Sequence, residues 1–209
     1  MRKSELERAL EQVPRHPSPD ADLEQYRTPA GIAAELLWLA HEEDAIANKK
    51  VLDLGSGTGL FSVGAALLGA RLATGVEVDA AAIGLANQTA ASAGVATRCW
   101  FVAADLANWH PEPGAFDTVV MNPPFGAQKG NKHADRLFLD CAAEAVKPAG
   151  TVWFLALERT ERFLATYSKE LGGRLERVAA WDYPLEATMA HHKQEVSHVR
   201  VGGYRMSWR

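Results

Sequence analysis

The chain has 209 residues, 47% of them hydrophobic and 23% charged. That is about one globular domain, long enough to bury a full core, and it excludes a disordered chain. With 22 basic against 26 acidic residues the net charge is −4, so no overall basic excess announces nucleic acid. A local basic patch or a partner would have to supply any phosphate contacts. Two cysteines, Cys99 and Cys141, are too few for a disulfide framework or a cysteine zinc site. No run of about 18 apolar residues marks a membrane span, and the first residues form a charged amphipathic stretch rather than a signal core. A cytoplasmic protein without a membrane partner is expected.

Leu6, Leu10 and Val13 fall on one face of a first helix, which the prolines of Pro14–Asp20 stop. Thr28-Pro29, a hydroxyl cap before a proline, opens a second helix that runs to about Ile46. Val51–Leu54 is a short apolar strand broken by Gly55, and Leu60–Leu68 is the helix after it. Strands follow at Leu72–Val76, Thr97–Ala103 and Phe116–Met121, with a helix over Ala80–Ser92. A helix over Ala134–Val146 stops at Lys147-Pro148, a strand covers Thr151–Leu157, and Arg159–Leu171 is helical. Arg174–Asp182 and Glu195–Arg205 are two strands with no helix between them, which predicts an antiparallel closing pair. The alternation predicts an α/β fold: one doubly wound, mostly parallel, seven-stranded sheet, with residues 1–27 as an N-terminal helical extension to a core over 28–209. In the usual strand order for such sheets Thr97–Ala103 is an edge, and its apolar run is one that a partner could cover.

The first strand runs into a glycine turn. Gly55, Gly57 and Gly59 allow a tight turn and a close backbone approach to a ligand, and Asp53 sits inside the strand. Glu77 ends the second strand about 20 residues later, placed to accept from ribose hydroxyls. Asp105 ends the third, placed for an adenine amino group, with Leu106 to pack on the ring. A dinucleotide would call for G-x-G-x-x-G, whereas this turn reads G-S-G-T-G. Asp53 would oppose a pyrophosphate but suit the ammonium of an amino acid, so S-adenosylmethionine is the expected cofactor.

The fourth strand ends in Asn122-Pro123-Pro124-Phe125. The prolines hold this turn rigidly at the carboxyl end of a strand beside the first. The Asn122 side-chain oxygen and the Pro123 carbonyl can hold the two hydrogens of an exocyclic adenine amine, while Phe125 stacks on the ring. Base–aromatic stacking is worth about 1–3 kcal/mol. Neither a metal nor a strong base is required, and adjacent His191-His192 without a third ligand gives no metal motif.

With these motifs on the page, the chain resembles the class I S-adenosylmethionine-dependent methyltransferases that act on amino nitrogens. Leu23–Pro29 (LEQYRTP), Asn122–Gly126 (NPPFG), Asn131-Lys132 and His191–Lys193 (HHK) together are similar to the methyltransferase-like protein five family of ribosomal RNA adenine-N6 methyltransferases. The likeness implies cofactor contacts from Gln25, Thr28, Gly55, Thr58, Leu60, Glu77, Asp105 and Leu106, and a catalytic motif on Asn122, Pro123, Pro124 and Phe125. It also implies a small zinc-binding activator subunit. Glu77 stands where the family often has aspartate, and Arg27 where it often has proline. Gln25 and Tyr26, just before the second helix, belong to a segment expected to fold over the cofactor.

Lys129 and Lys132 directly after the catalytic motif, and His191, His192 and Lys193 further on, are the candidate RNA contacts. An adenine must be single-stranded or flipped out to enter a pocket, and no appended module for reading duplex DNA is evident, which favours a structured RNA. A protein-glutamine or DNA-adenine methyltransferase is the alternative enzyme. A non-catalytic, cofactor-binding RNA-binding scaffold is the alternative of another class.

Overall fold

The computed structural model describes residues 1–20, 23–25, 27–125, 134–185 and 197–208. The first helix, α1 (Lys3–Glu11), buries Leu6 and Leu10 completely, and Val13 follows them inward. Then come α2 (Ala30–Glu42), β1 (Lys50–Leu54), α3 (Leu60–Leu67), β2 (Leu72–Glu77) and α4 (Ala80–Ser92). A 3-10 turn (Ala96–Arg98) leads into β3 (Cys99–Ala103), followed by β4 (Phe116–Met121), α5 (Ala134–Ala145) and β5 (Val146–Leu157). A second 3-10 turn (Glu158–Thr160) precedes α6 (Glu161–Glu170), and β6 (Arg174–Leu185) and β7 (Ser197–Ser207) close the fold.

The seven strands form one sheet in the order β3-β2-β1-β4-β5-β7-β6. Those from β3 to β5 run parallel, and β7 is antiparallel to both β5 and β6, as the missing helix between the last two strands predicts. Apolar side chains alternate across the sheet: Trp153 and Leu155 of β5 join one core with α1, α2 and α3. Phe154 joins a second core with α5, α6 and Tyr204. The N-terminal extension is thus packed into the domain core, because Leu6 and Leu10 are part of the first of these layers.

Three expectations are corrected. The helix before β5 ends at Ala145, and β5 starts at Val146 rather than Thr151. A register shift opposite Phe116/Thr118 of β4 absorbs Pro148, whose missing N–H would otherwise break the ladder. Arg159 belongs to a 3-10 turn rather than to the helix that follows. Thr28 caps nothing: Pro29 is the N-cap residue of α2, without a side-chain cap, and the Thr28 hydroxyl is engaged elsewhere.

Parallel strands put the ends of β1, β2, β3 and β4 on one side of the sheet. Because β1 pairs with both β2 and β4, with Leu54 opposite Val76 and Met121, the turn after β1 lies between the ends of its two neighbours. Ligands of doubly wound sheets bind at such a place.

Candidate active site

The turn after β1 bends back onto β2. The N–H groups of Gly55 and Ser56 both donate to the Val76 carbonyl, at 2.9 and 3.1 Å. Gly55, Gly57 and Gly59 have φ of +68°, +52° and +89°, a left-handed run that side chains with a Cβ resist. The Gly57 N–H donates to Glu77 Oε2 at 2.8 Å, and Glu77 Oε1 accepts from the N–H groups of Val78 and Asp79 at 2.9 and 3.0 Å. A nearly buried carboxylate is thereby fixed at the end of β2. One turn on, Asp79 caps α4 by accepting from the Ala81 and Ala82 N–H groups. Its Oδ2 also accepts from Gln25 Nε2 at 2.9 Å and lies 3.1 Å from His16 Nε2. Gln25's amide first, and then the α4 N–H groups, hold the Asp79 carboxyl below the usual carboxylate range. The chain between α1 and α2 is tied down across the turn by these contacts.

Together these elements enclose a pocket of about 820 Å³, within the roughly 300–1,000 Å³ of small-molecule sites. The strap before α2 contributes Gln25 and Thr28, the glycine turn Gly55, Gly57, Thr58 and Leu60, and the strand ends Glu77, Asp105 and Leu106. Asn122, Pro123, Pro124 and Phe125 form the opposite wall, with Phe138 of α5. Asp105 is exposed there while its carboxylate accepts from the Ala107 N–H and from Asn108 Nδ2, which orients it. Tyr26, Lys129, Lys132, His191, His192 and Lys193 lie outside the described residues.

Two of the expected residues are elsewhere. Asp53 is fully buried and does not line the pocket; its Oδ2 accepts from the Ser62 N–H and hydroxyl at 2.8 and 2.6 Å, in the first turn of α3. Burial pushes its carboxyl up to about 7 against the two Ser62 bonds. A residue inside β1 faces the helix layer rather than the ligand space beyond the strand end. Gly59 also stands back from the wall: it is the N-cap residue of α3, and a Cβ there would meet Ala86 Cβ at 3.1 Å.

At the far wall the Asn122 amide is held from behind. Its Nδ2 donates to Thr28 Oγ1 at 2.8 Å and to the Tyr183 hydroxyl at 3.4 Å. Tyr183, fully buried on β6, donates its own proton to the Arg27 carbonyl at 3.4 Å and packs edge-on against Phe125, ring centroids 5.5 Å apart. With the nitrogen so occupied, Oδ1 is a buried acceptor without a hydrogen-bond partner among the described residues. Sequence reasoning missed Tyr183, whose only signal is a tyrosine–proline step ending an apolar strand.

These donors and acceptors fit an adenosyl amino acid. Glu77 and Asp105 offer carboxylates to hydroxyl and amino hydrogens, and the glycine turn offers backbone that can be approached closely. A side chain at Gly57 would meet nothing within 4 Å. The Ser56 hydroxyl, like Asn122 Oδ1, is a buried polar atom that lacks a partner among the described residues. When bound, S-adenosylmethionine supplies a methyl group made electrophilic by a positively charged sulfur.

Comparison with known proteins agrees. Residues 31–180 match the Methyltransferase small domain family. The chain is 32% identical to the zebrafish (Danio rerio) protein named rRNA N(6)-adenosine-methyltransferase METTL5, covering 99% of each. It is 34% identical to the Drosophila melanogaster protein of that name over 96% of this chain and 93% of the fly protein. A Pyrococcus horikoshii crystal structure, PH1948, provisionally described as an RNA methyltransferase, superposes with a TM-score of 0.88 at 34% identity, covering 100% of this chain and 98% of its own. The likeness extends from end to end, and so the chain belongs to the Methyltransferase small domain family of S-adenosylmethionine-dependent enzymes, within its methyltransferase-like protein five group.

Proposed function

We infer that the protein methylates the N6 amino group of adenosine in RNA, ribosomal RNA above all, at the Asn122–Phe125 turn. The observation that carries this is the orientation of Asn122: its nitrogen is spent on Thr28 and Tyr183, so its oxygen, without a partner among the described residues, is the atom offered to an incoming NH₂ group. An exocyclic amine conjugated with its ring needs its hydrogens held so that the nitrogen lone pair can be aimed. Asn122 Oδ1 and the Pro123 carbonyl are the acceptors for them, on a turn stiffened by two prolines. Phe125, steadied by Tyr183, is the stacking surface. Holding two reactants in line can account for about 7–11 kcal/mol of a barrier, and that is the contribution this turn is built to make. Glu77 and Asp105 grip the adenosyl half of the cofactor, and the strap through Gln25 closes over it.

The names of the zebrafish and fly relatives support adenosine in ribosomal RNA as the target. An activator subunit has its natural seat on the β3 edge, where Trp100 is 66% exposed. The free thiols of Cys99 and Cys141 accord with a reducing, cytoplasmic setting. The test is incubation with methyl-labelled S-adenosylmethionine and total RNA, protein or DNA, followed by hydrolysis. Label in N6-methyladenosine is expected, absent from Asn122→Ala, which keeps its cofactor affinity; label in glutamine or in DNA overturns the reading. Trp100→Glu should abolish co-purification with a small zinc-binding subunit, and undiminished co-purification would dismiss that seat.

A further inference from the structure

The start of α6 stands against the catalytic turn. Thr160 and Leu164 share a small cavity with Pro123, Pro124 and Phe125. The segment there alternates in charge: Glu158, Arg159, Thr160, Glu161, Arg162. Its acids are spent on the strands behind. Glu158 pairs with Arg177 and Arg200 at 3.3 Å each, and Glu161 pairs with Arg177 at 3.3 Å. Arg159 and Arg162 are exposed and have no carboxylate partner among the described residues. Cations at the start of a helix also oppose its dipole. Folding therefore gains nothing from these two charges where they stand, whereas a bound anion would.

A third arginine extends the strip. Arg136, on α5, is exposed and likewise unpaired with any carboxylate among the described residues. Its guanidinium lies 5.2 Å from the ring centroids of both Phe163 and Tyr167, which stack on one another 5.6 Å apart at 17°. Tyr167 is pinned by its hydroxyl, which donates to Asp140 at 2.6 Å, so that acid too is engaged. Asp135 accepts from the Arg136 N–H. Arg159 stands in the 3-10 turn that leads into α6, and Arg162 immediately precedes Phe163 in the first turn of that helix.

We propose that Arg159, Arg162 and Arg136 form the surface that takes the RNA backbone next to the target adenosine, with phosphates on the guanidinium groups and Phe163–Tyr167 as the apolar floor. This rests on RNA being the substrate. A chain of net charge −4 has no general attraction for RNA, and sorting the acids of one segment toward β6 and β7 creates a local positive strip without changing that total. The strip continues from the turn that holds the base, so the flanking nucleotides of a splayed single strand meet it first.

The test uses the full chain and a fluorescein-labelled single-stranded RNA with a central adenosine. Binding is followed by anisotropy across a salt series, and methylation is measured in parallel. For single strands each phosphate contact adds about 0.7 to the slope of log affinity against log salt, or about fivefold in affinity at 0.1 M salt. The double variant Arg159→Ala/Arg162→Ala should bind about 25-fold more weakly with a slope shallower by about 1.4. Its KM for RNA should rise in step, with kcat and cofactor affinity kept and no loss of thermal stability. Arg71→Ala, an exposed arginine between α3 and β2, should match the wild type. A double variant with wild-type affinity and slope overturns the surface. A wild type that neither binds nor methylates RNA instead strikes the proposed function, so the two failures are told apart.

Discussion

The arrangement behind Asn122 yields the sharpest expectation. Replacing Thr28 by valine keeps the side-chain shape and removes the oxygen that accepts from Nδ2 at 2.8 Å, leaving only the longer 3.4 Å bond to Tyr183. A neutral hydrogen bond nets about 0.5–1.5 kcal/mol, so the preference for the productive amide orientation should fall about fivefold. Removing the Tyr183 hydroxyl as well, in Thr28→Val/Tyr183→Phe, should bring the combined loss to about ten- to thirtyfold. The assay is the single-turnover methylation rate at saturating RNA and cofactor, with cofactor affinity measured separately by calorimetry. The rate should fall while affinity holds, and Thr28→Ser, which restores the hydroxyl, should recover it. A Thr28→Val enzyme turning over at the wild-type rate would refute the idea that the amide is read from behind.

Other consequences follow from the same geometry. Asp53 is pushed up to about 7 from 3.8, so the folded state favours its protonated form. Stability should then fall as pH rises from about 4 to about 7 and level off above. Urea titrations of Asp53→Asn should lack that component, and parallel curves for the two proteins would contradict it. Gly59→Ala combines a φ of +89° with a 3.1 Å approach to Ala86 and should cost at least the roughly 1–2 kcal/mol of a left-handed alanine; an unchanged denaturation midpoint would remove the reason for a glycine there. Gln25→Ala severs the strap from Asp79 and should weaken cofactor binding severalfold at unchanged kcat. Deleting residues 1–27 would be a poor substitute, since it also strips Leu6 and Leu10 from the core. Cofactor affinity equal to wild type in Gln25→Ala would dismiss the strap as a closure.

What could be read in advance was what is local along the chain. The glycine turn, the acids ending β2 and β3, and the proline turn each follow a short apolar strand, and parallel pairing brings strand ends together. Features that depend on which side of a strand a residue faces were hidden. Asp53 lies in a strand that is buried nearly throughout, where alternation carries no signal about direction. Tyr183 meets Asn122 across 61 residues, a contact that only the antiparallel return of β6 creates. Thr28 carries the signature of a helix cap, but the Asn122 amide takes its hydroxyl instead. Glu158 to Arg162 has the composition of an ordinary solvated helix start, and only the partners of its acids separate them from its bases.

The strap does more than cover a cavity. Gln25 ties it to the head of α4, while two and three residues later the same stretch of chain supplies the Arg27 carbonyl and the Thr28 hydroxyl that orient the reacting wall. One short peptide is therefore bonded to both walls of the pocket, so a displacement of it would disturb the head of α4 and the Asn122 amide together.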